Sequence, residues 1–385
     1  MKSFLPIVSK MIDKLTHTVL ARGKGANALK RGAFFVRIKE TAVFPLLGKG
    51  ALRWKKQKPE GKRMQERILS SLLERETVSG QQLSQELGVT RAAVWKQIEK
   101  LRALGFDIET LGGQGYRLVA CPDSLMAPMI QKGLHTVWAG RNVVYVKSVD
   151  STNRFARELA AQGAAHGTLV IADEQTAGRG RRGRGWMSPA GEGIFMSLIL
   201  RPQVHPSQVA RLSLQTALAV ARAIEDVCGL DARIKWPNDI VCSGRKIVGM
   251  LLEMNADEQC VHDVVAGVGI NVHQRGFDAD IAGTASSLDL LSGRFVKRAE
   301  VVRAFLQAFE QTQALCGQPG ALMEAYRARS ATLGRRVRVM SAGEAFTGMA
   351  QEITDMGTLI VLDEQGVRRE VFAADVSVRG LMGYV

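Results

Sequence analysis

The sequence has few of the residues and segments that mark several classes of protein. Its five cysteines are scattered and odd in number, and no two have Cys-x-x-Cys spacing. This argues against a disulfide framework and a cysteine-rich zinc site, and it fits a reducing cytoplasm. The six histidines form no His-x-x-x-His pair. No apolar run reaches the ~18 residues that a membrane-spanning helix needs, so we expect no membrane span.

Acidic residues are scarce in only one part of the chain. Residues 1–63 hold 16 Lys and Arg against 3 Asp and Glu, which gives +13 of the total net charge of +15. A basic, acid-poor N-terminus can be an organelle transit peptide. We favour a disordered basic tail, or a start assigned upstream of a natural start at Met64. The charge therefore says little about the remaining residues. The full length of 385 residues suits two or three domains.

Residues 64–121 have the pattern of a winged helix-turn-helix domain. Apolar residues at helical spacing predict a first helix around Ile68–Leu73. Two further helices each follow a residue that can cap them, and two short strands then form a wing. The predicted elements are helix Gln81–Leu87 capped by Ser79, helix Arg91–Leu104 capped by Thr90, and strands Phe106–Thr110 and Gly115–Val119.

The third helix of this domain carries the candidate DNA-contacting residues. Its packing side is predicted to hold Ala92, Ala93, Val94, Ile98 and Leu101. Four long side chains can reach DNA, namely Arg91, Trp95, Lys96 and Lys100. Residues 64–120 hold seven basic and seven acidic residues. Because DNA binding needs local positive charge, a three-helix packing module without a DNA role stays an alternative.

The rest of the chain divides into a mixed α/β region and a short β-rich region. Between residues 122 and 332, predicted strands alternate with long helices, among them Ser207–Cys228 and Glu300–Cys316. Between residues 333 and 385, short strands are separated by Gly or Asp turns, which is typical of a small barrel. We therefore predict a central α/β domain at 122–332 and a C-terminal β domain at 333–385.

Residues 178–186 read Gly-Arg-Gly-Arg-Arg-Gly-Arg-Gly-Trp, the most unusual string in the chain. Glycine lets the backbone approach a ligand, arginine donates to phosphate or carboxylate, and tryptophan offers a flat apolar face. A Rossmann motif is excluded because no helix is predicted to follow, and a P-loop is excluded because Gly-Lys-Ser/Thr is absent. The string predicts a loop that closes over an anionic, nucleotide-like ligand. The alternative is a solvated turn, in which four arginines would repel one another.

Three further motifs place polar side chains next to predicted strands. Ser151, Thr152 and Asn153 follow a strand, where at least one of them is expected to cap a helix. Lys235-Trp236-Pro237-Asn238-Asp239 puts a lysine at a strand end, and Asn-Asp is expected to start a turn. That lysine can reach a phosphate and Asp239 can help hold Mg²⁺, although a plain strand-to-turn junction fits equally well. Lys246 and Gly249 lie on another strand, where the glycine marks either a close approach or a bulge.

The order of these four motifs resembles that of the biotin–protein ligases. The winged helix-turn-helix in front of them is similar to that of the bifunctional members, the biotin operon repressors. The resemblance covers about residues 64–385 and leaves out 1–63. It implies an α+β multidomain protein with a central domain like the class II aminoacyl-tRNA synthetases and an SH3-like C-terminal β-barrel.

The resemblance implies a two-step reaction with ATP, Mg²⁺ and biotin and without a tightly bound prosthetic group. Biotin and ATP give biotinyl-5′-adenylate and pyrophosphate, and the biotinyl group then moves to a lysine of a biotin carboxyl carrier domain. The adenylate also promotes a homodimer that binds operator DNA and represses biotin genes.

The resemblance also implies a role for each residue that matches the family motifs. Lys246, Arg179, Arg181 and Lys235 are the candidate catalytic residues. The candidate biotin and adenylate contacts are Ser151, Thr152, Asn153, Gln175, Arg179, Gly180, Arg181, Trp186, Asn238, Lys246 and Gly249. Trp186 is expected to shelter the adenine, and Lys246 to bind where the carboxylate meets the phosphate.

Three other functions stay open at this stage. One is a ligase whose N-terminal domain does not bind DNA, and another is a transcription factor that senses biotinyl-adenylate. A third is a lipoate ligase, against which the arginine-rich loop and the Lys-Trp-Pro-Asn-Asp motif argue.

Overall fold

The computed structural model describes residues 34–37, 43–46 and 60–385, apart from 317, 319, 341–344, 374–376 and 381–385. Strands β1 (Phe34–Arg37) and β2 (Val43–Leu46) pair antiparallel. They belong to one compact unit, Met1–Lys55, and the remaining chain forms a second. The predicted disordered tail falls largely outside the described residues. No helix within the described ranges combines the length and the apolar character needed to cross a bilayer.

The first elements of the second unit form three helices and a β-hairpin around one core. They are α1 (Glu60–Glu74), α2 (Gly80–Leu87), α3 (Arg91–Ala103), β3 (Asp107–Leu111) and β4 (Gly115–Ala120). The Ser79 hydroxyl accepts from the Gln82 amide and Thr90 caps α3, as predicted. Helix α1 begins at Glu60, ahead of the predicted boundary at Met64. On α3, the side chains of Val94, Ile98 and Leu101 are buried, but Ala92 is exposed, so its predicted packing role is wrong.

A seven-stranded sheet with the strand order β5-β6-β7-β11-β10-β9-β8 forms the centre of the unit. Only β5 and β6 run parallel. The strands are β5 (Val143–Val149), β6 (Leu169–Gln175), β7 (Gly193–Leu200), β8 (Arg233–Lys235), β9 (Asp239–Cys242), β10 (Arg245–Ala256) and β11 (Val261–Asn271). The helices are α4 (Ala127–Gln131), α5 (Thr152–Ala161), α6 (Val209–Cys228), α7 (Leu288–Ser292), α8 (Arg298–Cys316) and α9 (Ala321–Arg327).

Helices cover both faces of this sheet, so the sheet is the middle of three layers. Helix α5 packs on one face, against Val170, Ile199 and Val265. Neighbouring strand residues such as Leu198 and Ala266 point to the other face, where α6 and α8 complete the main core. Because both faces are covered at the centre of the sheet, β7 is apolar apart from Ser197 and is buried along its whole length.

The turn predicted to start at Asn238-Asp239 is placed too late. Residues 236–238 form the turn, and Asp239 is already the first residue of β9, paired with Gly249 of β10. The Pro-Asn-Asp string gives a strong local turn signal, whereas pairing with β10 is a long-range contact that the local sequence does not reveal.

The last five strands form an antiparallel sheet with the order β15-β14-β13-β12-β16. They are β12 (Arg336–Met340), β13 (Ala345–Ile353), β14 (Leu359–Asp363), β15 (Arg368–Val371) and β16 (Ser377–Gly380). Their apolar residues join the main core of the unit. The buried Trp236 indole donates to the Gly357 carbonyl at 3.0 Å, which ties this sheet to the β8–β9 turn.

A charged cluster joins the segment after the β3–β4 hairpin to the central sheet. The Asp123 carboxylate accepts from Arg298, which is 3% exposed, and contacts His273 Nε2 at 3.1 Å. His273 Nδ1 lies 2.8 Å from Asp289. Burial alone would lower the pKa of His273, but the hydrogen bonds to both carboxylates raise it above its usual value. The imidazolium therefore stabilises this junction.

Candidate active site

A cleft of about 1620 Å³ opens on one side of the central sheet. Its walls come from the start of α5, the end of β6, the loop 176–188, the β8–β9 turn and β10. Every candidate catalytic, substrate-binding or metal-binding residue of the central domain lines it, including Ser151, Arg181, Trp186 and Lys246. A cleft of this size can enclose a molecule with both a vitamin and a nucleotide part.

Glycines form the floor of the cleft. Gly249 of β10 lies directly opposite Gly269 of β11, so the two residues share one face of the sheet. The Trp186 ring covers this pair. A Cβ atom would lie 2.7 Å from the ring at Gly249 and 2.5 Å from Nε1 at Gly269, closer than atoms pack. The predicted close approach at Gly249 is therefore made by Trp186. Gly269 was missed because its position depends on strand register.

Buried polar side chains form a hydrogen-bonded cluster at one end of the cleft. Gln175 Oε1 accepts from the backbone amide of Thr152 at 2.9 Å and lies 3.1 Å from its hydroxyl. The Asn153 amide donates to the Leu251 carbonyl and the Glu253 carboxylate. Ser197 Oγ, which sequence reasoning missed, lies within 2.9 Å of both Thr152 Oγ1 and Asn153 Oδ1. Ser151 occupies the N-cap position of α5, but its side chain makes no capping bond.

The arginine-rich loop forms a narrow hairpin over the cleft. Its stem is closed by Trp186 N donating to the Gly178 carbonyl at 2.9 Å and by Gly180 N donating to the Arg184 carbonyl at 2.8 Å. The Arg179, Arg182 and Arg184 side chains are exposed, and they bond to no side chain that the structure describes. Their uncompensated positive charge makes the loop attractive to an anion.

Arg181 is the arginine of this loop that contacts the body of the protein. Its guanidinium donates to Asn238 Oδ1 at 3.0 Å and to the Ala373 carbonyl of the C-terminal sheet. Burial lowers the pKa of Arg181 from its usual value, and the nearby Asp239 carboxylate opposes that shift. Asn238 Nδ2 donates to the Met250 carbonyl at 2.8 Å, so this amide side chain holds Arg181 and β10 together.

Lys246 sits between a carboxylate and the tryptophan ring. Its Nζ lies 2.8 Å from Asp239 Oδ1 and 5.4 Å from the centroid of Trp186. Lys235 is 6% exposed and lies opposite Asp239 in the β8–β9 pair. Both lysines therefore put positive charge on the same wall of the cleft as Arg181.

The described residues contain no group of three or more His, Cys, Asp or Glu side chains that could hold a metal ion. Asp239 is paired with Lys246, so it offers at most a single, shared carboxylate. A single shared carboxylate is too few ligands to hold a resident metal ion at this position.

The candidate DNA-contacting residues lie together on the solvent side of α3. Arg91, Trp95, Lys96 and Lys100 are all exposed, and Trp95 is 56% exposed. Arg102 donates from the same helix to the Ile108 carbonyl at 2.9 and 2.6 Å and to Thr110. Sequence reasoning missed this contact, which joins the wing to α3.

Family models match three separate parts of the chain. A model of the biotin/lipoate A/B protein ligase family matches residues 145–271. A helix-turn-helix (HTH) domain model matches residues 64–117, and a model of the biotin protein ligase C-terminal domain matches residues 332–379.

Full-length relatives agree with these matches. The bifunctional ligase/repressor BirA of Bacillus spizizenii is 40% identical over 308 residues, which are 78% of this chain and 94% of that protein. The biotin–[acetyl-CoA-carboxylase] ligase of Mycobacterium tuberculosis is 35% identical and covers 66% of this chain and 97% of its own length. A biotin protein ligase from Aquifex aeolicus in complex with biotin and ATP superposes with a TM-score of 0.55 at 28% identity, covering 62% and 99% of the two chains. The chain therefore belongs to the bifunctional biotin–protein ligase and repressor family.

Proposed function

We propose that this protein is an ATP-dependent biotin–protein ligase that also represses transcription of biotin genes in the cytoplasm. The observation that carries the ligase activity is the single cleft that joins a buried polar cluster to a cationic loop and Lys246. The polar end suits the ring of biotin, and the cationic end suits the phosphates of ATP.

In the first step, an oxygen of the biotin carboxylate attacks the α-phosphorus of MgATP. A new oxygen–phosphorus bond forms, the bond to the β-phosphate breaks, and pyrophosphate leaves with its metal ion. Two anions must approach each other, so Lys246, Lys235, Arg179 and Arg181 lower the barrier by neutralising charge. No protein nucleophile is needed.

In the second step, the amine of a carrier lysine attacks the acyl carbon of biotinyl-5′-adenylate. An amide bond forms, AMP leaves, and the amine loses a proton. Water would destroy the anhydride before this step, so a cover is required. We assign that cover to the loop 178–186, with Trp186 beside the adenine.

We divide the chain into a basic extension at 1–63, a winged helix-turn-helix domain at 64–121, a catalytic domain at 122–332 and a C-terminal domain at 333–385. The largely antiparallel central sheet supports a class II aminoacyl-tRNA-synthetase-like fold for the catalytic domain. The five-stranded antiparallel sheet supports an SH3-like fold for the last domain.

We propose that the adenylate complex forms a homodimer that binds operator DNA through helix α3. A dimer doubles the number of DNA contacts, so occupancy of the operator follows the supply of biotin. Support comes from the exposed Arg91, Trp95, Lys96 and Lys100, which give the outer side of α3 a basic character.

The ligase activity is tested by labelling a carrier domain with biotin and MgATP and measuring the product by mass spectrometry. The wild type should add one biotinyl group to one lysine. Lys246→Ala should slow labelling about 10²- to 10³-fold, the cost of removing one group that stabilises developing charge. Lys100→Ala, a lysine-to-alanine change on α3, is the matched control and should label at the wild-type rate. A wild type that labels nothing would remove the ligase proposal.

The repressor activity is tested by titrating the protein on its own biotin-gene promoter, with and without preformed adenylate. Adenylate should tighten binding, and Arg91→Ala or Lys96→Ala should weaken it at every adenylate concentration. If the affinity for the promoter changes neither with adenylate nor with these substitutions, a ligase whose N-terminal domain has no DNA role is favoured.

A further inference from the structure

The hydrogen-bonded cluster at the polar end of the cleft contains a row of four oxygen atoms, each in contact with the next. Four oxygen atoms follow one another: Asn153 Oδ1, Ser197 Oγ, Thr152 Oγ1 and Gln175 Oε1. The three successive oxygen–oxygen distances are 2.7, 2.9 and 3.1 Å. All three are short enough to be hydrogen bonds.

The two end atoms of this row, Asn153 Oδ1 and Gln175 Oε1, are amide oxygens that can only accept hydrogen bonds. The Gln175 amide is oriented by the backbone N–H of Thr152, which needs an oxygen opposite it. The Asn153 amide is oriented by the Leu251 carbonyl and the Glu253 carboxylate, which need its nitrogen. Each amide therefore presents its oxygen to the hydroxyl beside it.

This row of four oxygen atoms has three contacts but only two hydroxyl protons to fill them. Ser197 and Thr152 contribute one hydroxyl proton each, yet there are three contacts to fill. One contact must therefore bring two oxygen lone pairs together without a proton. Ser197 is fully buried, whereas Thr152 and Gln175 line the cleft, so the contact without a proton can be completed only from the cleft side. A ligand N–H that points at Thr152 Oγ1 and Gln175 Oε1 would supply the missing donor.

We propose that Ser197 is a positioning residue that makes the Thr152 hydroxyl an acceptor for a ligand N–H. The shortest contact assigns the Ser197 proton to Asn153, so Ser197 accepts the proton of Thr152. Thr152, which lines the cleft, then turns a lone pair toward the ligand. Ser197 lies behind it on β7 and does not line the cleft.

This inference rests on the proposed function, because the cyclic urea of biotin supplies the required N–H groups. It adds that Ser197, Asn153 and Glu253, which lie behind Thr152, determine that the Thr152 hydroxyl accepts a hydrogen bond from the ligand. The cleft should accordingly reject a ring of the same shape that lacks the N–H facing Thr152.

The test is calorimetric titration of the full-length protein with biotin and with two analogues, each methylated on one ureido nitrogen. The wild type should discriminate strongly against one of the two. Ser197→Ala should lower the affinity for biotin by roughly 3- to 10-fold, as expected for one hydrogen bond. It should also reduce the ratio between the affinities for biotin and for the disfavoured analogue. Ser197→Cys keeps a small side chain of similar shape, with a larger atom and a weaker donor. Its biotin affinity should fall between those of the wild type and Ser197→Ala, and it remains informative if the alanine variant misfolds.

The matched control is Thr312→Val, which removes a buried hydroxyl on α8 that donates to the Phe309 carbonyl. It should leave both biotin affinity and discrimination at wild-type values. If the Ser197 variants keep wild-type discrimination, Ser197 is only structural and the inference fails. If the wild type binds no biotin at all, the proposed function fails instead.

Discussion

Replacing Gly269 by alanine should displace Trp186 from the floor of the cleft. The new Cβ atom would lie 2.5 Å from Trp186 Nε1, and ordinary contact begins near ~3.5 Å, so the ring must retreat by about 1 Å. Its cation–π contact with Lys246 would weaken at the same time. A misplacement of about 1 Å can slow an enzyme about 10²-fold, and overpacking costs about 1–3 kcal/mol of stability. We therefore expect adenylate formation to slow by about 10- to 100-fold.

The assay is a single-turnover measurement of adenylate from biotin and MgATP, with a thermal melt to show that each variant is folded. Gly249→Ala should behave like Gly269→Ala, because both residues lie under the same ring. Gly283→Ala is the matched control: Gly283 also lines the cleft, but its added Cβ meets nothing within 4 Å. A folded Gly269→Ala enzyme with the wild-type rate would refute the claim that Trp186 must lie on a floor without side chains.

Two further predictions concern the contact between the wing and α3, and the charged cluster around His273. Arg102→Ala should release the wing from α3 and weaken operator binding several-fold while carrier labelling stays unchanged; equal operator affinity would show that the wing needs no anchor. The raised pKa of His273, which faces Asp123 and Asp289, gives stability that is complete below its usual pKa of 6.5 and is lost as pH rises through the folded-state value. The melting temperature of His273→Gln should therefore fall less steeply than that of the wild type as the pH is raised. An equally steep fall in both proteins would contradict this account.

Features set by neighbouring residues could be predicted from the sequence. The caps at Ser79 and Thr90 depend on bonds to amides three residues away, and both are present. The apolar runs of β5 and β7 are long and end in polar residues or glycine, so the local sequence marks where both strands begin and end. The motifs of the cleft could be recognised because each is contiguous.

Features set by strand register and long-range packing could not be predicted. Ser197 is one buried residue of an apolar strand, and only the fold brings its hydroxyl to Thr152. Gly269 gains its role from being opposite Gly249. Asp239 was expected to contribute to a turn, but the fold makes it the first residue of β9 and pairs it with Lys246.

The central claim is that a cationic loop closes over biotinyl-5′-adenylate and shields it from water. A crystal structure of the protein with this compound tests it most directly. We predict that Arg179 and Arg181 will contact the ligand, that Trp186 will cover the adenine, and that Lys246 will leave Asp239 for the acyl-phosphate oxygens. An adenylate held elsewhere, or one left open to solvent with the loop pointing away, would contradict the account.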